Sequence, residues 1–391
     1  MKKIGIFLGE FSTAARPLDF WYNNIWDSTR GLTGSDLSLV MLSSILAKRG
    51  CDVHLFTCMA EKHNVPSTWE GVHLYNIEDR FKVVDDSFNT LISLNEPDVF
   101  FGLTDKPLRI LWAFLNDFNF CRAGYENNID IGLGVCDKHL DYLKKLMPEK
   151  EHHKWSVLGL GCSPEWYEDK RVEGRVIFCS SVDRGLHNLL QVWPKIKAAV
   201  PYATLRIFYH FDYGNIENLE PNIANGPVAV EEYVVDYSKS TVEVGHRIRW
   251  IRNAIKKLKS FGVEHVGSIS ANQMKKEMSY ASVLGYPCDT VAFSEGFSTV
   301  LIQGCASYSC VCTTNVDCLG EIYENSGALI TKMPIKNHLE EYTNNIIKCL
   351  TDKRFADQMI DRERVFAYMN SWESIVDKME NIIKNGSKIN K

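Results

Sequence analysis

No apolar run in this chain approaches the roughly 20 residues that a helix needs to cross a bilayer, so no transmembrane segment is expected. Peripheral contact with a membrane stays compatible with the sequence. A surplus of one charge is also missing. The chain has 44 Lys and Arg against 49 Asp and Glu, a net of -5, which gives no electrostatic case for nucleic acid or an anionic membrane as the main partner. None of the twelve cysteines stands at C-x-x-C spacing from another, so no structural metal is expected. Most lie in apolar runs, as Cys51, Cys58, Cys179 and Cys305 do, where a thiol behaves as a small hydrophobe. That usage predicts a reducing, cytoplasmic environment. The glycines near the amino terminus do not form G-x-G-x-x-G with an acid at dinucleotide spacing, which speaks against a NAD enzyme. Met1-Lys2-Lys3 precedes a short apolar run that breaks at Glu10 with no small-residue cleavage site after it. The run reads as a first strand rather than a signal peptide.

The 391 residues, 45% hydrophobic and 24% charged, are globular in composition and enough for two domains. Strand and helix patterns alternate along the chain. Ile4–Leu8 reads as a buried strand, Leu37–Leu46 as a helix closed by Arg49-Gly50, and Val53–Thr57 as the next strand, a βαβ unit that opens a doubly wound sheet. Strands are then expected at 98–101, 109–112, 129–133 and 155–160, with a helix at 138–146. A turn-rich stretch from Gly161 to Asp169 predicts a domain boundary, placing a first domain at 1–165 and a second at 166–370. The second domain repeats the alternation: strands at 175–179, 203–209, 263–266, 281–284 and 309–313, and helices near 186–199, 244–261, 271–280, 336–350 and 354–368. Residues 212–243 are a long polar connection without an assignment. Cys310-Val311-Cys312 alternates so that both thiols take one strand face. A last helix from Ser371 carries Trp372, Ile375, Val376, Met379 and Ile383 at helical spacing.

The most informative stretch is Ser294-Glu295-Gly296-Phe297-Ser298-Thr299, followed by the helical run Val300 to Gly304. Ser298 is placed as an N-cap, leaving first-turn N–H groups facing outward as an anion seat. The neighbouring carboxylate of Glu295 suits hydroxyls rather than phosphate. A sugar nucleotide carries both groups. An acid before a helix is also favoured by the helix dipole alone, so a purely local role for Glu295 stays open.

With these elements in order the chain resembles the retaining glycosyltransferases of GT-B fold, family 4 of the sequence classification. Gly31-Leu32-Thr33-Gly34-Ser35-Asp36 resembles the family's Gly-Leu-Gly-Gly-Ser-Glu turn. Ser180-Ser181-Val182-Asp183-Arg184-Gly185-Leu186 resembles the segment after the first strand of the second domain, with Arg184 at the family's basic position. A second basic position of the family falls at Ser180 or Ser181. Glu295 and Gln303 occupy the two ends of the family's Glu-x7-Glu, the second as an amide. Met369-Asn370-Ser371-Trp372 resembles the junction where the last helix, 371–391, returns to the first domain.

The resemblance implies two facing Rossmann-like doubly wound domains with an interdomain cleft, the first on the acceptor side and the second holding the donor. It implies transfer of a sugar from a nucleoside diphosphate, UDP or GDP among the candidates, to a glycan or glycoconjugate with retention of configuration. No cofactor and no metal are implied. Arg184 would meet the diphosphate, Glu295 the sugar hydroxyls, and Gly34, Ser181, Gly296, Phe297, Ser298, Thr299 and Gln303 would complete the donor site. Gly267-Ser268-Ile269 resembles the loop that meets the nucleobase, although it serves equally as a helix cap. Arg184 also fits a surface ion pair. Where the family has a first-domain histidine this chain has Phe114, with Asn116 and Asp117 close by. His210 is better placed at a strand end than His152 and His153, but a structural role is favoured for it. Trp21, Tyr22 and Trp26 offer either a stacking platform for an acceptor or an anchor for their long loop. An epimerase or hydrolase of the same fold, or a sugar-nucleotide-binding protein without turnover, are the alternatives.

Overall fold

The structure, a computed structural model, describes residues 2–8, 25–28, 31–58, 67–118, 121–209, 240–333 and 339–389. Trp21, Tyr22 and His210 therefore lie outside the described residues, as does most of the 212–243 connection. Two compact units divide the chain: Met1–Cys162 with Asn370–Lys391, and Ser163–Met369. The dividing points fall at 162/163 and 369/370, against 165/166 and 370/371 read from the sequence. Helices are numbered below where they span eight residues or more.

The first unit is built on β1 (Lys3–Leu8), α1 (Gly34–Lys48), β2 (Asp52–Thr57), β3 (Thr68–Trp69), β4 (Val72–Asn76), β5 (Thr90–Leu94), β6 (Leu108–Trp112), β7 (Ile131–Gly134), α2 (Asp137–Lys144) and β8 (Trp155–Val157). Their order across the sheet is β3-β4-β2-β1-β5-β6-β7-β8. All neighbours are parallel except β3, which returns antiparallel on β4. Strands covered on both faces need continuous apolar sequence, and Ile4, Ile6, Phe7 and Leu8 are all at most 1% exposed. Phe7 stacks on Phe56 of β2 with ring centres 4.8 Å apart.

Helix α1 begins where its sequence says it should. Thr33 and Asp36 form a reciprocal capping box, each side chain bonding the other's backbone N–H. Gly31 takes φ 69° in the turn before it, a conformation open to glycine at little cost.

One expectation fails here, and one strand was missed. Residues 98–101 are not a strand: Pro97 opens a short 3-10 helix, Pro97–Phe100, because a proline has no N–H to give a ladder. The strand at this place is instead β5, which ends three residues earlier and pairs with β1 and β6. Its Thr90 and Ser93 disguise it, yet both are 0% exposed.

The last helix of the chain, α9 (Trp372–Ile389), belongs to this unit and packs on α1. Trp372, Ile375, Val376, Met379 and Ile383 are buried. Arg49 at the end of α1 reaches Asp377 and Glu380, each at 2.7 Å, and also Glu373.

The second unit contains β9 (Arg175–Phe178), α3 (Leu186–Ala199), β10 (Thr204–Ile207), α4 (Ser240–Leu258), β11 (Val263–His265), α5 (Ala271–Tyr280), β12 (Val283–Tyr286), α6 (Thr299–Ala306), β13 (Cys310–Thr314), β14 (Leu329–Thr331), α7 (Leu339–Thr351) and α8 (Lys353–Met369). The strands run parallel in the order β11-β10-β9-β12-β13-β14. In chain order this is the doubly wound 3-2-1-4-5-6 arrangement, and the direction of winding reverses between β9 and β12. Short β14 was not expected; its three residues carry no periodicity of their own. The thiols of Cys310 and Cys312 do share a face, both meeting Cys349 of α7.

Candidate functional site

In an open parallel sheet the chain leaves two adjacent strands in opposite directions at the switch point, and ligands bind outside the carboxyl ends there. In the second unit those ends are Phe178 of β9 and Tyr286 of β12. The loops after them bring together two residues that the sequence reading singled out. Nη1 of Arg184 donates to Oε2 of Glu295 at 2.9 Å, although 111 residues separate them. Tyr286 donates its hydroxyl to the same oxygen at 2.6 Å and accepts from the Ser180 hydroxyl at 3.3 Å. The Glu295 side chain is 4% exposed and that of Arg184 33%. The carboxylate holds the guanidinium's pKa above its usual range, so Arg184 stays charged. Burial pushes the Tyr286 hydroxyl well above its usual range, which keeps it a donor.

The two loops are fixed by contacts that leave little slack. Gly185 has φ 114°, and a Cβ there would stand 2.0 Å from the Pro287 carbonyl oxygen, so only glycine fits. Behind them lies Arg247 of α4, 0% exposed. Its Nη1 donates to the Asp183 carbonyl at 2.6 Å and to the Asp289 carbonyl, one from each loop. Nη2 lies 3.9 Å from the Asp289 carboxylate, and Nε 4.0 Å from that of Glu243. His187 Nε2 is 3.3 Å from Asp289. Burial dominates that imidazole and pushes its pKa down to about 4, so it sits neutral in the cluster.

Asp317 organises the third side of the site. Its Oδ2 accepts from the Thr290 hydroxyl at 2.9 Å and from the backbone N–H groups of Ser294 at 3.0 Å and Glu295 at 2.9 Å. Asp317 itself takes φ 49°, a left-handed conformation that aspartate tolerates better than most residues. Ser298 caps α6 by accepting from Leu301 N–H at 3.3 Å. Its own carbonyl accepts from the Tyr323 hydroxyl at 2.7 Å. Gly296 is buried, Thr299 half-buried, and Phe297 lies edge-on to Tyr323 at 6.2 Å.

Other predicted residues are placed less centrally. The Ser181 hydroxyl bonds Asp183. Gln303, on α6, accepts from the Tyr167 hydroxyl at 3.1 Å. Gly267, Ser268 and Ile269 follow edge strand β11. Gly267 has φ 87° with open space where a Cβ would be, and Ser270 behind it forms a capping box with Gln273.

In the first unit, Gly34 is the first residue of α1 and half-buried. The loop with half-buried Asn116 and exposed Asp117 follows β6. Asn95, at φ 68°, ties that loop down: its Oδ1 accepts from Phe114 N–H at 2.7 Å and Leu115 N–H at 3.1 Å, while its amide nitrogen reaches Ser35 at 3.4 Å. Buried His139 gives both ring nitrogens to backbone, accepting from Val135 N–H at 3.2 Å and bonding the Leu115 carbonyl at 3.1 Å. Trp26 packs on Trp69 at 6.2 Å, as an anchor would.

Tyr286, Arg247, Asp289, His187 and Asp317 were not anticipated. A tyrosine that ends a strand beside a charged loop was the available sign for Tyr286. Glu243 and Arg247 stand at i,i+4 spacing, and nothing in the sequence marks them as buried.

No family model matches the chain, and no curated protein matches it by sequence. Solved structures do match. Sucrose-phosphate synthase from Thermosynechococcus elongatus is 14% identical, with 98% of this chain and 99% of that chain covered, at a TM-score of 0.66. The α,α-trehalose 6-phosphate synthase of Burkholderia multivorans is 8% identical with both chains covered fully, at 0.67. Anabaena HepE, solved in complex with UDP and glucose, is 12% identical over 98% of this chain and 100% of that one, at 0.64. At such identities the likeness concerns fold alone. The chain has the GT-B fold, two Rossmann-like α/β units of the kind that glycosyltransferases use.

Proposed function

We propose that the protein is a retaining glycosyltransferase, similar to family 4, that moves a sugar from a nucleoside diphosphate to a hydroxyl of a glycan or glycoconjugate. The observation that carries this reading is the Arg184–Glu295–Tyr286 constellation at the switch point of the second sheet. A cation with one guanidinium nitrogen committed to Glu295 has donors left for a diphosphate. The buried carboxylate beside it accepts from sugar hydroxyls, and the start of α6 offers backbone N–H groups to an anion.

In this reading the second unit holds the donor and the first takes the acceptor. Gly267, Ser268 and Ile269 meet the nucleobase through backbone, and Gln303 meets the ribose with Tyr167 fixing its amide. Ser181, Gly296, Phe297, Ser298 and Thr299 line the donor. Asn116 and Asp117 serve the acceptor, together with Trp21. The bond from the anomeric carbon to the diphosphate oxygen breaks while the acceptor oxygen bonds the same face, and the acceptor's proton passes to the departing phosphate. Charge on that phosphate is met by Arg184 and the α6 N–H groups, so no metal or cofactor is required. The cysteine usage supports a cytoplasmic site of action. Among the described residues no helix is long and apolar enough to cross a membrane.

A thermal-shift screen of nucleoside diphosphates and their sugar conjugates tests binding, since a ligand of the folded state raises its melting temperature. One nucleotide class should stabilise the protein, and Arg184→Ala should remove the shift. No stabilisation by any of them overturns the reading. NMR of the product then reports the anomer, and inversion relative to the donor excludes the retaining step. Turnover of donor at an undiminished rate without acceptor marks an epimerase or hydrolase instead.

A further inference from the structure

At the amino-terminal ends of the first sheet's strands, opposite the carboxyl-end loops, three potential ligands converge. Asp52 and His54 are alternate residues of β2, so their side chains leave the same face. His73 of β4 is the residue paired directly with His54 and shares that face. Both Nε2 atoms close on one oxygen: His54 stands 3.1 Å and His73 3.4 Å from Asp52 Oδ1. The two imidazoles stack with centres 4.8 Å apart at 29°. One donor atom from each of the three residues lies within 4.8 Å of the other two.

A tetrahedral zinc ion with bonds of about 2.0–2.1 Å sets its ligand atoms roughly 3.3–3.4 Å apart. Two of the three ligand–ligand distances are already of that size. The third can close by a turn of His73, whose side chain is 44% exposed. His54 is held: Tyr75 stacks on it at 5.6 Å and Phe88 meets it edge-on at 5.0 Å. Lys3 rests 4.2 Å over the Phe88 ring and bonds Ser87.

We propose that Asp52, His54 and His73 form a site for a divalent cation of the zinc class, with water completing the coordination. Two imidazoles and a carboxylate are a donor set that zinc, cobalt, nickel and copper accept and magnesium or calcium do not favour. Bound there, the cation cross-links β2 to β4 near the edge of the sheet and stabilises the first unit. The site is independent of sugar transfer and its chemistry.

The test titrates the full chain, stripped with chelator, with Zn2+ by calorimetry and thermal shift, and with Co2+ by visible spectroscopy. The expected result is one tight equivalent, a raised melting temperature, and cobalt bands of a four-coordinate nitrogen and oxygen site. His73→Gln, at a half-exposed position, should lower affinity at least tenfold while circular dichroism stays unchanged. His54→Phe, which keeps the aromatic stack, should do the same. Binding should weaken as pH falls, since protons compete with the cation for its ligands. No heat and no shift at about a hundredfold molar excess overturns the proposal. So does undiminished affinity in both variants, or a cobalt spectrum dominated by thiolate charge transfer, since either places the cation elsewhere.

Discussion

The two sheets share a winding but furnish their switch points differently. In the second unit the carboxyl ends of β9 and β12 hold an ion pair, Arg184 with Glu295, and behind it a second charged group around Arg247. In the first unit the neutral amide of Asn95 ties the end of β5 to the start of α1 and to the loop after β6. His139, which could have supplied charge nearby, spends both nitrogens on peptide groups. Charge is costly to hold out of water unless something balances it. Its concentration at the second unit's switch point fits the proposed donor, which carries phosphates.

The largest effect that contrast predicts is structural. Arg247→Met leaves Asp289 and Glu243 buried without their cation and unties both loops, and should cost about 3–5 kcal/mol, read by denaturant unfolding. A loss under 1 kcal/mol would mean that the cluster does not hold the site. Next comes Glu295. Because its oxygen is the acceptor for both Arg184 and Tyr286, Glu295→Ala damages folding as well as chemistry. Glu295→Gln is the cleaner change and should lower transfer on the order of 10²–10³-fold with the fold retained. Wild-type turnover in that variant would remove Glu295 from the mechanism.

The third prediction concerns pH. His187 is depressed from 6.5 to about 4, so the unfolded chain takes up a proton first and stability falls as pH drops from about 6.5 towards 4. Glu363 of α8, fully buried and accepting from Val311 N–H, is raised from 4.5 to about 8. The unfolded chain loses that proton first, so stability falls as pH climbs from about 4.5 to 8. Glu363→Gln should therefore gain on the wild type between pH 5 and 8, by on the order of 3 kcal/mol, followed by hydrogen exchange in the second unit. A gap that stays constant with pH contradicts the assignment.

Asn95→Ala should be milder, about 1–3 kcal/mol, for two backbone donors left without their acceptor. A larger loss than that of Arg247→Met would reverse the contrast between the units. Gln303→Glu should be smallest, changing the KM for donor less than about tenfold, since either side chain accepts from Tyr167.

The fold was largely legible because periodicity carries it. Helix α3 was read as Leu186–Ala199 and α5 as Ala271–Tyr280, the spans observed. The strand that escaped, β5, carries two hydroxyl residues in a fully buried run, and its neighbours Phe100 and Phe101 drew attention to the wrong segment. Of the candidate site, the motif-bearing residues could be named, but their arrangement could not. That Arg184 pairs with Glu295 depends on a crossover of 111 residues, and no local pattern encodes it. Arg247 and Asp317 act through carbonyls and amides whose positions exist only once both loops are in place.

The return of α9 to the first unit has a further consequence for the order of assembly. Residues 163–369 are continuous in the chain and can complete their core as soon as they are made. The first unit begins earlier yet is completed later than the second, because Ile375, Val376 and Met379 come after all of residues 163–369. During synthesis, which proceeds at about 5–20 residues per second, the older unit waits for the younger one to be translated. Its apolar flank beside α1 stays uncovered for that interval.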